Sequence, residues 1–187
     1  MSFDKDKETA MKKLERVLRD GEVDKDLIVF LNEFNKLEDY YTTSSCSGRY
    51  QLISFKFNGE NLEFKRILTE HDPEKEIELP EYWQGYLMLL VEPPIFHIVA
   101  RNLERANQLL HLAREAGFKR SGIRSIKENR IVIELLSTEF LKMPIGKEGT
   151  LYEKCYNLGI EIGKKLLQRG KEKIQKFEKL IKRELLL

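Results

Sequence analysis

Helices at both ends of the chain, with strands gathered in hairpins between them, predict an α+β fold for these 187 residues. Three observations carry this. Apolar residues recur at helical spacing near the N-terminus and again from about residue 150 to 183, the middle alternates with the period of two expected of strands, and turn signals such as Asn58-Gly59 join strand to strand. Strands do not alternate regularly with helices, which disfavours a doubly wound nucleotide-binding sheet. One domain covering residues 1–187 is expected, with the C-terminal helix of 150–183 free to project in its final turns.

The first helix is predicted from Phe3, Ala10, Met11, Leu14, Val17 and Leu18, with acids early, Arg16 and Arg19 late, and Asp20-Gly21 as its stop. A second starts at Asp24 and buries Leu27, Ile28, Leu31, Phe34 and Leu37. Ile53, Phe55 and Phe57 alternate with polar neighbours, turn at Asn58-Gly59 and return over Leu62 to Thr69. Leu87–Val91 and Ile95–Ala100 read as two strands, kinked apart by Glu92-Pro93-Pro94, because proline donates nothing to a ladder. Asn102 caps a helix that stops at Ala116-Gly117. Phe118–Ile126 and Arg130–Ser137 read as strands around a Glu128-Asn129 turn, and Phe140–Ile145 as a shorter one. The last helix places Leu151, Cys155, Leu158, Ile162 and Leu166 on a face, with an interruption expected at Gly170.

Composition excludes several function classes. A net charge of +2 supplies no global field toward nucleic acid or membrane, so any RNA contact must be local. Cys46 and Cys155 are far apart without a CxxC partner, so no metal site is expected and a reduced, cytoplasmic protein is the simplest reading. The N-terminus is charged at once, and the longest apolar run, Leu87–Val91, is far too short to span a bilayer. There is no GxGxxG after a strand, no GxxxxGK[ST] and no HExxH.

One segment departs from ordinary helix and strand: Tyr40-Tyr41-Thr42-Thr43-Ser44-Ser45-Cys46-Ser47-Gly48-Arg49. Small side chains expose backbone N–H groups, Gly48 permits φ > 0, and Arg49 offers a rigid fork of donors. This suits capture of an anionic or polar ligand at a loop between two strands. A Ser-rich turn is the plainer alternative. Cys46 reads as a small residue in that turn rather than a nucleophile, since no rule places a histidine beside it. His97, mid-strand, is either a satisfied core residue or a general base, depending on what its face borders. Glu92 at a strand end could accept bonds from a ligand. Ser121-Gly122-Ile123-Arg124-Ser125 and Ser137-Thr138 are further polar segments flanking strands, and the three together suggest one composite pocket.

The run Tyr41–Arg49 resembles the signature of the tRNA wybutosine-synthesising protein 3 family. Glu92-Pro93, His97, Asn107-Gln108-Leu109-Leu110, Ala116–Ile123, Ser137-Thr138 and Met143-Pro144-Ile145-Gly146 follow in that family's order. The resemblance implies a large mixed, mostly antiparallel sheet flanked by helices. It also implies an S-adenosylmethionine-dependent methyltransferase acting on a ring nitrogen of a tricyclic guanosine next to the anticodon of phenylalanine tRNA. A non-catalytic tRNA-binding module assisting a partner enzyme is the alternative. On this resemblance Ser44, Ser45, Cys46, Ser47, Arg49, Ser121, Gly122 and Ser137 are expected to contact the cofactor. His97 is expected as the base, and Glu92, Arg124 and Ser125 on the substrate side. Methyl transfer from a sulfonium needs positioning and often a base, but no metal or enzyme nucleophile.

Overall fold

The computed structural model describes residues 2–128 and 130–185. The order is α1 (Phe3–Arg19), a 3-10 turn (Lys25–Leu27), α2 (Ile28–Phe34), β1 (Tyr40–Cys46), β2 (Arg49–Asn58), β3 (Asn61–Glu70), β4 (Tyr86–Glu92), β5 (Ile95–Ala100), α3 (Leu103–Ala116), β6 (Gly122–Lys127), β7 (Arg130–Leu136), β8 (Leu141–Lys147), β9 (Thr150–Leu151) and α4 (Glu153–Leu185). The α+β class, the antiparallel pairing and the long C-terminal helix are all present, with the strands divided between two sheets. Of the expected Glu128-Asn129 turn, Asn129 lies outside the described residues.

The chain forms two compact units. The first comprises the residues up to Ser47, Pro94–Thr138 and those from Lys171 onward; the second comprises Gly48–Pro93 and Glu139–Gly170. In the first unit four antiparallel strands run in the order β1-β5-β7-β6. One face buries Phe96, Ile98, Ile131, Ile133 and Leu135 against α2, α3 and the end of α4. The other face packs Tyr41 and Val99 against Phe3 of α1, whose ring meets Tyr41 edge-on at 5.2 Å. Asn102 caps α3 as expected by accepting from Arg105 N at 2.9 Å, and Gly117 ends it with φ 107°.

The second unit is a sheet of order β3-β2-β4-β8-β9 whose core contains Tyr50, Leu52, Leu87, Leu89, Ile145 and Leu167. The Asn58-Gly59 hairpin forms as predicted, pairing Asn58 with Asn61.

Helix α4 departs from expectation in four ways. It starts at Glu153, because Thr150 and Leu151 pair with Lys147 and Gly146 as β9. It runs through Gly170 unbroken. Its last turns do not project: Ile174, Phe177, Leu180 and Ile181 are buried in the first unit's core. The expected stripe is also displaced, since Cys155 and Leu158 are exposed. The buried stripe in the second unit instead passes through Gly159 and Gly163. A Cβ on Gly163 would lie 2.5 Å from Tyr50 Cε1 and 2.9 Å from Val91 Cγ2, so the missing side chain lets helix and sheet approach. Apolar periodicity cannot reveal a face made by absent side chains.

Gly163→Val should therefore lower stability by at least about 2 kcal/mol, as overpacking does against two buried neighbours. Gly122→Ala, at a position where an added Cβ meets nothing within 4 Å, should stay within about 0.5 kcal/mol of the parent. Urea unfolding of the two variants checks the contrast.

Candidate active site

The Ser/Thr-rich segment is a strand, not the loop its composition suggested. Tyr40–Cys46 pairs along β5, and its other side is a free sheet edge. Asn35 supports it from the end of α2: its amide donates to Leu31 O at 2.7 Å and to Thr42 Oγ1 at 2.9 Å, and its carbonyl accepts Thr42 N at 2.8 Å. One outward strand N–H is thereby satisfied without a neighbouring strand. Just after the strand, Asp24 accepts Ser47 N at 2.6 Å. Gly48 has φ 98°, the left-handed value anticipated from its place in the run.

A bulge in β1 then re-aims the serines. The register is Thr42↔Ile98, then Ser44↔His97, with Thr43 unpaired between them and its hydroxyl donating to His97 O at 3.2 Å. Ser44 Oγ thus comes 2.8 Å from His97 Nδ1. On the other side of the ring, His97 Nε2 lies 3.0 Å from Glu134 Oε2 on β7. Arg124 on β6 bonds the other carboxylate oxygen, Oε1, and it sits at a second bulge, between Ile123 and Ser125. Arg124, Glu134, His97 and Ser44 therefore form a continuous polar row across all four strands. The row lies on the face that holds Val99, opposite Phe96 and Ile98, as strand alternation requires.

Charge fixes the proton arrangement along this row. Glu134 is only 8% exposed, and burial pushes its carboxyl up. The hydrogen bonds from Arg124 and His97 outweigh that and hold it below the usual carboxylate range. An ionised carboxylate only accepts, so in neutral His97 the proton sits on Nε2, and Nδ1 is the acceptor facing Ser44. The arrangement can take a proton at Nδ1 and stabilise the resulting cation through Glu134.

A cavity of about 950 Å³ runs along the free edge of β1, bounded by Ala10, Lys13 and Leu14 of α1 and by Thr43, Ser44 and Ser45. Its size matches small-molecule sites. Ser47, 1% exposed, keeps its Oγ buried with no hydrogen-bond partner among the described residues. In the second unit the same is true of Arg49 Nε. Arg49 is register-paired with Glu92 there.

Of the residues expected from sequence, Ser44, His97 and Arg124 meet in one row, and Ser45 lines the cavity beside Ser44. Cys46 is half-buried, paired with Ile95, and forms no disulfide. Gly122 opens β6 opposite Glu134, and Ser125 pairs with Val132. Ser121 uses its hydroxyl locally, donating to Phe118 O at 2.6 Å and accepting Leu136 N at 3.1 Å. Ser137 is fully buried, with Lys173 Nζ 3.4 Å from its Oγ. Sequence reasoning overlooks Glu134, Asp24 and Asn35. Glu134 leaves a signal, an acid inside the apolar strand Arg130–Leu136 on the face opposite Ile131, Ile133 and Leu135. Asn35 leaves none.

Because the folded carboxyl of Glu134 titrates below its unfolded value of about 4.3, its contribution is complete above that pH and is lost as pH falls through the folded value. Glu134→Gln should cost about 1–3 kcal/mol near pH 7, and the gap to the parent should close in acid. Thermal unfolding from about pH 7 to about pH 3 checks the sign; a gap that widens in acid contradicts it.

A family model described as Methyltransferase TYW3 matches residues 5–183. The chain is 36% identical over 189 residues to the tRNA(Phe) 7-((3-amino-3-carboxypropyl)-4-demethylwyosine(37)-N(4))-methyltransferase 1 of Pyrococcus horikoshii, covering 96% of this chain and 95% of that one. A methyltransferase of the same activity from Methanocaldococcus jannaschii is 32% identical over 157 residues, 81% of each chain. The solved structure of the PH1069 protein from Pyrococcus horikoshii superposes with a TM-score of 0.84 at 34% identity over 95% of both chains. With a matched segment running nearly end to end, this chain belongs to the Methyltransferase TYW3 family.

Proposed function

We propose that this protein methylates N4 of the 4-demethylwyosine-type tricyclic guanosine at position 37 of phenylalanine tRNA, beside the anticodon, with S-adenosylmethionine as methyl donor. Near full-length similarity to enzymes carrying that name supports the substrate. The observation that carries the chemistry is the Ser44–His97–Glu134–Arg124 row, in which Ser44 of the cavity wall meets the accepting imidazole nitrogen of His97.

S-adenosylmethionine, when bound, supplies an electrophilic methyl group on a sulfonium. The target ring nitrogen gains that methyl and loses a proton, and that proton needs an acceptor. His97 Nδ1 is that acceptor, reached directly or through the Ser44 hydroxyl. Glu134 holds the ring orientation and balances the positive charge it acquires, and Arg124 keeps Glu134 ionised. This is a proton-transfer role, with the nucleophile supplied by the substrate.

The signature fits a cofactor bearing a carboxylate, an amine and ribose hydroxyls. Ser47 Oγ and Arg49 Nε are buried polar atoms without partners among the described residues, and native proteins rarely leave such atoms unpaired without a ligand or water to serve them. In this reading Ser44, Ser45, Cys46, Ser47 and Arg49 contact the cofactor, with Gly122, Ser121 and the buried Ser137 shaping the neighbouring backbone. Ser125 and Glu92 belong to the substrate side. A single-stranded anticodon loop can splay its base outward, so the tricycle is reached without opening a duplex. A tRNA substrate supports a cytoplasmic location for this activity. No helix among the described residues is long and apolar enough to cross a membrane.

Calorimetric titration with S-adenosylmethionine should show one site. Ser47→Ala and Arg49→Ala should each weaken it by about tenfold, the worth of one charged or buried hydrogen bond. Incubation with hypomodified tRNA(Phe) should add one methyl mass to the tricyclic nucleoside. Binding of tRNA without cofactor affinity or methyl transfer would instead identify a non-catalytic module.

A further inference from the structure

The second unit carries an aromatic face that neither the candidate active site nor the core uses. Cross-strand pairing puts Phe64 (β3), Phe55 (β2), Tyr86 (β4) and Lys147 (β8) in one row over four adjacent strands. Directly opposed residues share a face, and Leu52, Leu87 and Leu89 of the core point the other way. Phe57, two residues beyond Phe55, joins the same face with its ring edge-on at 5.9 Å. Phe55 and Tyr86 stack at 5.3 Å with an interplanar angle of 25°. Lys147 Nζ sits 5.1 Å from the Tyr86 ring centroid. Phe57 and Phe64 are 67% and 68% exposed, and Leu62 between them is 56% exposed.

Large apolar side chains in a contiguous exposed group mark an interaction site. The charge around them selects the occupant. Arg66, opposite Ile53, and Lys147 bring positive charge to this face, whereas Glu63 lies on the other face and pairs with Lys56 at 3.2 Å. A two-fold contact between copies would gather these cations around one apolar patch and desolvate them unpaired. RNA phosphates would neutralise them, and bases would cover the rings. We infer that the Phe57–Phe64–Phe55–Tyr86 ladder, with Arg66 and Lys147, is a base-stacking platform for a single-stranded segment of the tRNA substrate.

The dimensions agree. Four strands about 4.8 Å apart span about 14 Å, enough for two or three unstacked bases, as on other sheet surfaces that read single strands. Arg49 is six residues from Phe55 along β2, with no register shift against β4, so it faces the same side about 20 Å away. Between them Gln51 and Leu90, paired on this face, are buried, so the open platform ends before Arg49 and Glu92.

This inference rests on the proposed tRNA substrate, and the test separates the two. Affinity for an unmodified tRNA(Phe) transcript and for a single-stranded oligonucleotide of its anticodon loop would be measured by fluorescence anisotropy over a salt series. The proteins are the wild type, Phe57→Leu/Phe64→Leu and Arg66→Ala/Lys147→Ala. Leucine keeps the apolar surface but removes the π face, so the aromatic pair should weaken binding roughly tenfold or more for both RNAs. The cation pair should reduce the log–log salt slope by about 0.7 for each phosphate that is no longer neutralised. S-adenosylmethionine binding by calorimetry should be unchanged in both. Variants that bind RNA like the wild type, while the wild type methylates tRNA, overturn the platform alone. Leucine variants whose only change is a smaller mass by light scattering assign the face to a second copy and also overturn it. A wild type that transfers no methyl group overturns the proposed function.

Discussion

The antiparallel pairing of β1 with β5, broken by one bulged residue, is the constraint on which the candidate site depends. Without the bulge at Thr43, alternation would carry the serines past His97 in a different phase, and Ser44 could not stand opposite the ring. The bulge costs a ladder bond, and Asn35 offsets it by clamping Thr42 from α2. The core on the far side, where Phe30, Phe96 and Phe177 meet ring to ring, fixes how α2 lies and so where Asn35 reaches. An aromatic core on one face thus sets the Ser44–His97 contact on the other.

The polar row satisfies itself in a way that explains its placement in a sheet. Each member sits on a different strand, so neighbour distances follow from strand spacing rather than from flexible loops. Edge strands supply the two ends, Ser44 and Arg124, and both lie at bulges; central strands supply His97 and Glu134. The buried carboxylate is paired on both oxygens, the condition under which a buried charge is tolerable. The Ser44 end of the row lines the cavity, and the Glu134 carboxylate in its middle fixes the tautomer.

Much of this is legible in the sequence where local chemistry dictates structure. Asn102 and Gly117 bound α3, Asn58-Gly59 turns the hairpin, and the hydroxyl-rich run flags the site. That run reads as a loop because small polar side chains are usual in turns, whereas here an external clamp from Asn35 stabilises an edge strand. Glu134 escapes a linear reading because its role exists only once β5 and β7 pair, through a hydrogen bond between residues 37 apart. The face of α4 is displaced because glycines, silent in any hydrophobic pattern, make its closest approaches. The aromatic ladder is half visible: Phe55 and Phe57 read as one strand face, but Phe64 and Tyr86 join them only through the sheet register.

The central claim is that His97 takes the proton released when the ring nitrogen is methylated. The most direct test is single-turnover methyl transfer by His97→Gln to hypomodified tRNA(Phe), at saturating S-adenosylmethionine and over a range of pH. Glutamine keeps a hydrogen bond but cannot accept a proton. The account predicts a rate at least about 100-fold below wild type and loss of the acid limb of the pH profile, with cofactor affinity unchanged. A rate within about threefold of wild type and an unaltered profile would contradict it.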